Sequence, residues 1–148
     1  AGVPPNLRTM THAPGACQAA LPAYEGTIRK RPLAFVNEGT GPAFVTCAFP
    51  GFEGGSFGGL TIWFTNFGDA AAVLRCTFVT GTAATGVPHA VPPVYTSRIR
   101  ELPAGASDAL FLTTGDATTD APTSVSCALP PRVGVGDLAF GQEVEPNP

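Results

Sequence analysis

The sequence predicts an all-β fold, a β-sandwich of Greek-key or jelly-roll type with about eight or nine strands. Three observations carry this expectation. The 18 glycines and 16 prolines are scattered through the 148 residues as punctuation, which leaves no room for a long helix. Between them, short apolar runs recur at roughly 10–15-residue spacing, close to the turn spacing of sandwiches and barrels. Three of the four cysteines also fall on the apolar side of an alternating run. No internal repeat is apparent.

Residues 1–22 read as an extended N-terminal arm, because Pro4, Pro5, Pro14 and Pro22 exclude regular structure over most of it. Residues 23–148 read as one sandwich domain, a size that builds a core unaided. Leu33–Asn37 is the first strand, and Ala43–Phe49 the second, stopped at Pro50-Gly51. Gly51–Gly59 holds five glycines and reads as a flexible loop. Leu60–Phe67 and Ala71–Thr80, joined through Gly68-Asp69, read as a β-hairpin. Gly81–Pro93 is a long loop rich in Thr, Gly and Pro. Val94–Glu101 and Ala109–Thr113 are strands separated at Pro103-Ala104-Gly105, and Thr114–Pro122 is a polar loop. Thr123–Leu129 is a strand stopped by Pro130-Pro131, and Leu138–Val144 is the last.

The cysteines sharpen the strand pattern. Cys47 shares a face with Val45 and Phe49, Cys76 with Leu74 and Phe78, and Cys127 with Val125 and Leu129. Inward cysteines on separate strands bridge either the two sheets or neighbouring strands. Of the three connectivities four cysteines allow, we favour Cys17–Cys47 with Cys76–Cys127. The first ties down the arm, and the second closes a long loop, worth on the order of 4 kcal/mol in the chain-entropy model.

Composition narrows the function classes. Charged residues are only 13% of the chain, about half the usual ~25%. The net charge is −3 and the one basic cluster is Arg29-Lys30-Arg31, too little to neutralise a run of phosphates, so no nucleic-acid partner is expected. No apolar run is long enough for a transmembrane segment. An even cysteine count with no C-x-x-C pair favours disulfides over zinc and places the chain in an oxidising compartment: secreted, at a cell surface or in a periplasm. The start Ala1-Gly2-Val3-Pro4 reads as that of a mature chain after signal cleavage.

Four segments carry a resemblance: Val45-Thr46-Cys47-Ala48-Phe49-Pro50, Leu60-Thr61-Ile62-Trp63-Phe64-Thr65-Asn66, Ala72-Val73-Leu74-Arg75-Cys76-Thr77-Phe78 and Ser124-Val125-Ser126-Cys127-Ala128-Leu129-Pro130-Pro131. Together they resemble a group of exported hypothetical proteins of Gram-negative bacteria. Their pattern is a V-x-C-P-like strand, a strand with an outward aromatic, a V-x-C-T-like strand and a C-x-L-P-P strand. The chain departs at Ala48-Phe49-Pro50, where the group more often has proline directly after the cysteine. The resemblance implies an exported β-sandwich and implies no activity.

Candidate chemistry is sparse. For the serines at 56, 97, 107, 124 and 126, only His12 and His89 could serve as an imidazole base, each in an arm or loop. Glu25, Glu38, Glu53, Glu101, Glu143 and Glu145 are scattered, and a chain this small has little material for a deep cleft between two of them. Asp116 and Asp120 with Thr114 and Thr119 make an oxygen-rich loop whose spacing matches no calcium motif, so a solvated loop is preferred. Met10-Thr11-His12 is a weak copper signal. No catalytic residue, cofactor or metal is therefore expected, and the chain is not expected to be an enzyme.

Trp63 is the most informative side chain. If Leu60, Ile62 and Phe64 face the core, Trp63 faces out among threonines. An outward tryptophan on a sheet suits stacking on a sugar ring, with Tyr24 or Tyr95 as partners in the platform; packing beneath a loop or against a partner subunit is the competing role. The sequence thus points first to a non-enzymatic secreted structural or interaction module, in which the arm adds to a neighbour's sheet edge during self-assembly. The alternatives are a carbohydrate-binding module that uses the aromatic platform and an extracellular enzyme inhibitor presenting a rigid loop such as Gly81–Pro93.

Overall fold

The computed structural model describes residues 6–49, 56–82, 86, 88, 92–112 and 123–143. These form two antiparallel sheets packed face to face, a β-sandwich of eleven strands among the described residues. In chain order they are β1 (Asn6–His12), β2 (Cys17–Ala19), β3 (Ile28–Arg31), β4 (Ala34–Asn37), β5 (Ala43–Phe49), β6 (Ser56–Asn66), β7 (Ala72–Thr80), β8 (Val94–Leu102), β9 (Ser107–Leu112), β10 (Thr123–Leu129) and β11 (Val133–Glu143). Sheet A runs β3-β4-β11-β6-β9, with β1 also pairing β11; sheet B runs β2-β5-β10-β7-β8.

The core follows from alternation. Val45, Cys47 and Phe49 on β5, Leu74, Cys76 and Phe78 on β7, and Val125, Cys127 and Leu129 on β10 are buried, and they meet Phe35, Ile62, Phe64, Leu110, Leu112, Leu138 and Phe140 from sheet A. Both disulfides lie within sheet B. Cys17–Cys47 and Cys76–Cys127 each join residues directly opposite on neighbouring strands, with Cα atoms 4.0 and 4.1 Å apart. They staple strand to strand, not sheet to sheet.

Four elements differ from the sequence expectation. Residues 6–12 form a regular strand paired along its whole length with β11, because eight residues separate Pro5 from Pro14 and none lacks an N–H. Ile28–Arg31 is a strand despite three successive cations, which suit the solvent-facing edge of a sheet. β6 begins at Ser56, inside the expected glycine loop, since β11 offers it a partner as far as Glu143. β6 and β7 are not a hairpin: β6 pairs with β9 and β11 in sheet A, β7 with β8 and β10 in sheet B. The intervening residues arch from one sheet to the other.

That arch is built around Asn66, which is buried. Its side-chain oxygen accepts from the Gly68 N–H at 2.9 Å, and its amide donates to Ala70 O (2.8 Å) and Leu102 O (3.1 Å). Asn37 does the same between β4 and β5: its oxygen accepts from Gly39 N–H at 2.9 Å, and its amide donates to Gly41 O and Leu129 O, both at 2.9 Å. The two arches are a repeat that the sequence reading did not detect. Phe35, Asn37, Gly39, Ala43, Cys47 and Phe49 stand twenty-nine positions before Phe64, Asn66, Gly68, Ala72, Cys76 and Phe78.

The return connections match as well. Leu102-Pro103-Ala104-Gly105 carries the chain from β8 to β9, and Leu129-Pro130-Pro131-Arg132 from β10 to β11. In each, the fourth residue is left-handed, Gly105 at φ 73° and Arg132 at φ 68°. Each donates its N–H to the arch asparagine's carbonyl, Gly105 to Asn66 O (2.9 Å) and Arg132 to Asn37 O (2.8 Å). Glycine adopts this conformation freely; for arginine it costs about 1–2 kcal/mol. One end of the sandwich is thus closed by four sheet-crossing connections side by side, locked by two buried asparagines.

Candidate functional site

Sheet A's outer face is where the structure concentrates exposed aromatics beside open backbone. Trp63 is 44% exposed there, opposite Ala109 on β9. Phe111, 48% exposed, is its diagonal neighbour on the same face. Thr61, Thr65 and Ser107 complete this side, with a 2.7 Å bond between the Thr65 and Ser107 hydroxyls. The sequence reading did not single out Phe111. The buried pair Leu110 and Leu112 on either side of it was the signal that it points outward.

Beside Trp63 runs β11, whose outward positions carry almost no side chain: Gly134, Gly136, Ala139 and Gly141. A β-bulge sets Gly136 and Asp137 together against Trp63, since Val135 pairs with Phe64 but Leu138 with Ile62. Gly136 lies between the carbonyls of Leu33 and Trp63, 3.8 and 3.9 Å from where a Cβ would stand. The result is a trough along the middle of the sheet. Trp63 forms one wall. The other is made by strands β3 and β1, which bring Arg29 and Arg31, and Met10 and His12. From β3 to β6 is three strand spacings, about 14 Å. His12 Nδ1 sits 3.3 Å from Asp137 Oδ1 on the trough's edge.

At the arch end the trough deepens into a depression of about 390 Å³ lined by Arg31, Val36, Glu38, Phe67 and Arg132. Val36 and Phe67 close over Gly134, which is buried beneath them: a Cβ there would lie 2.8 Å from Val36 Cγ2 and 3.2 Å from Phe67 Cε2. Glu38 accepts from Arg31 Nη2 and Arg29 Nε, each at 3.0 Å. The Arg31 hydrogen bond, with that from Arg29 adding, holds the Glu38 carboxyl below the usual carboxylate range against the opposing effect of desolvation.

The platform residues of the sequence reading do not converge. Trp63 is on sheet A. Tyr95, 68% exposed, pairs with Val79 on the outer face of sheet B, the opposite side of the sandwich. Tyr24 is half-buried at the edge of sheet B, its ring 6.2 Å from that of Phe44. Both tyrosines were grouped with Trp63 by residue type alone; which sheet each joins was not readable from spacing. His89, Asp116 and Asp120 lie outside the described residues. Among the described residues, no three His, Cys, Asp or Glu side chains gather. No described helix is long and apolar enough to cross a membrane.

The open lateral edge between β8 and β9 is bridged by Arg100 and Asp108, 2.9 Å apart. The Ala109 N–H at 2.7 Å, and then Arg100, hold Asp108 below the usual carboxylate range. A lowered folded-state value means the unfolded chain takes up protons first. The stabilisation is therefore complete above about pH 5 and is lost as pH falls through the lowered value. The expected result is that Asp108→Asn melts lower than the parent at pH 7 and that the gap closes toward pH 2. A gap independent of pH, in melting curves across that range, would show the pair to be idle.

No family model and no curated protein sequence matches the chain. Solved structures similar to it in fold include the family 11 carbohydrate-binding module of Clostridium thermocellum with a β-1,3-1,4-mixed-linked tetrasaccharide, at 10% identity over 92% of this chain and 86% of that one, TM-score 0.43. An exo-β-1,3-galactanase of Phanerochaete chrysosporium is 12% identical over 90% of this chain, TM-score 0.46, and a GH26-CBM35 β-(1,4)-mannanase of Podospora anserina 11% over 95%, TM-score 0.41. The chain spans only 29% and 28% of the length of those two enzymes. The likeness is one of β-sandwich architecture.

Proposed function

We propose that this protein is a non-catalytic, extracellular glycan-binding module that takes its ligand along the outer face of sheet A. The observation that carries the reading is Trp63, an exposed ring beside a trough of glycine and alanine backbone. A flat aromatic face complements the C–H face of a pyranose, and hydroxyls at Thr61, Thr65 and Ser107 can exchange hydrogen bonds with a sugar's own. At Gly136, Ala139 and Gly141 the small outward positions let a chain lie close to the sheet. The two disulfides suit an oxidising compartment and support the extracellular placement.

Trp63 is the chain's sole tryptophan, so its emission reports on the site alone. Titration with a panel of soluble polysaccharides is expected to shift that emission. In calorimetry, Trp63→Ala is expected to weaken binding about 30-fold, the effect of losing a central aromatic anchor worth about 2 kcal/mol. A silent panel, or an alanine variant that binds as the parent does, rejects the reading.

A second reading has its own observation. The outer face of sheet B exposes Phe44, Val73, Tyr95 and Ile99, which suits contact with a protein. On that reading the chain is a structural or interaction module, and it forms complexes that a Tyr95→Ser/Ile99→Ser variant does not.

A further inference from the structure

Arginine 132 occupies a position for which the fold itself supplies a control. The two return connections are equivalent in sequence position, hydrogen bonding and backbone conformation, and one uses Gly105 where the other uses Arg132. A strained left-handed residue retained where glycine serves elsewhere points to a use for its side chain. That side chain lines the depression at the arch end of the trough, with Arg31, Phe67 and Val36. Among the described residues, no hydrogen bond or ion pair engages the Arg132 guanidinium.

The local charge is unusual for this chain. Three of its eight basic residues, Arg29, Arg31 and Arg132, meet one acid, Glu38, in a protein of net charge −3. Glu38 occupies one N–H of Arg31 and one of Arg29 in its two bonds, which leaves further guanidinium donors. The pocket wall is therefore cationic on two sides and apolar at Val36 and Phe67. This combination suits a planar carboxylate carried on a ring: paired N–H donors for the oxygens, an aromatic face for the ring.

We propose that the depression receives the carboxylate of a hexuronate, so that the module selects acidic glycans. This rests on the glycan-binding reading of the sheet A face and names the ligand class within it. The depression lies over Gly134, whose outward side Val36 and Phe67 cover, two residues along β11 from Gly136 beside Trp63, a separation of about 7 Å. One sugar at the ring of Trp63 and the next at Arg132 can belong to the same chain.

The test compares polygalacturonate with its carboxyl-reduced, neutral counterpart. The parent protein is expected to bind the acidic polymer about tenfold more tightly, with the difference shrinking as salt rises. Arg132→Gly installs the residue of the sister connection, so the fold is retained; its melting temperature is expected to be equal or higher. It is expected to lose the acidic preference and keep the affinity for the neutral polymer. Equal binding of both polymers by the parent, or a preference that survives Arg132→Gly, overturns the inference while leaving the glycan reading intact. Acidic binding lost in Arg132→Gly but kept in Trp63→Ala retains the carboxylate pocket and rejects the aromatic platform. Binding of neither polymer by the parent overturns the inference.

Discussion

Asn66→Ala is expected to lower stability by about 3–4 kcal/mol, more than any surface change on the molecule. Three hydrogen bonds end on that one side chain, and its loss strands Gly68 N–H, Ala70 O and Leu102 O in the closed end of the sandwich. Each bond contributes about 1 kcal/mol net, and a buried group left without a partner costs about 1–3 kcal/mol. For a chain of this length that is a fall of about 10 °C in melting temperature. Asn37→Ala is expected to match it, because Asn37 ties Gly39, Gly41 and Leu129 in the same pattern. Asn66→Asp is the sharper variant. It keeps the acceptor for Gly68 but turns an oxygen toward two carbonyls, so it is expected to be at least as damaging as alanine despite its similar shape. Thermal and urea melts of the three variants decide the matter. An aspartate variant as stable as the parent would mean the amide donors are not what holds the arch.

Replacing Cys76 and Cys127 together by alanine is expected to cost about 4 kcal/mol, through the added freedom of the unfolded chain. The bridge spans 51 residues of sequence and joins strands already paired at six registers, so native geometry changes little. The loss is therefore expected to be global: a melting temperature lower by about 12 °C, with amide exchange accelerated evenly across both sheets. The Cys17 and Cys47 double replacement closes a shorter loop, 30 residues, but its local effect differs. β2 is only three residues long and pairs with β5 alone. Without the bridge, β2 is expected to fray, and exchange to rise first near residues 16–20. Exchange mass spectrometry separates the two outcomes; identical profiles for both variants would refute the distinction.

The β-sandwich was legible in the sequence where one periodicity acted alone. Ala43–Phe49 and Thr123–Leu129 alternate without interruption because both strands sit inside sheet B with one face on the core, and their limits match the structure to the residue. Legibility failed where partners lie far away in the chain. Ser56–Gly59 and Val133–Asp137 look like loop in isolation, and become strand because Gly141–Glu143 pairs with the first, and Phe64–Asn66 with Phe35 and Val36 pairs with the second, in sheet A. The break at Gly68-Asp69 between two apolar runs reads as a hairpin, yet the chain crosses between sheets there; burial of the Asn66 side chain marks the crossing, and no local pattern reveals burial. The repeat escaped notice because its shared positions are spaced singly, at one side chain in two. Of the candidate site, the outward Trp63 was readable from alternation. Phe67 and Arg132 were not, since one follows β6 and the other precedes β11, and they meet only where the Phe67 N–H donates to Arg132 O at 2.9 Å in the closed end.

The central strand of sheet B is β10 and that of sheet A is β11, and both come from the final stretch of the described chain. Until residues 123–143 are available, β5 lacks the strand between it and β7, and β4 the strand between it and β6. A growing chain is then a set of orphaned edges, unable to settle early into stable halves. Its assembly must be late and concerted, driven by contacts as remote as Asn6 with Glu143, and slow on the millisecond-to-second scale of such topologies. A polypeptide with this wiring gains the centre of both sheets last, so neither sheet closes ahead of the other.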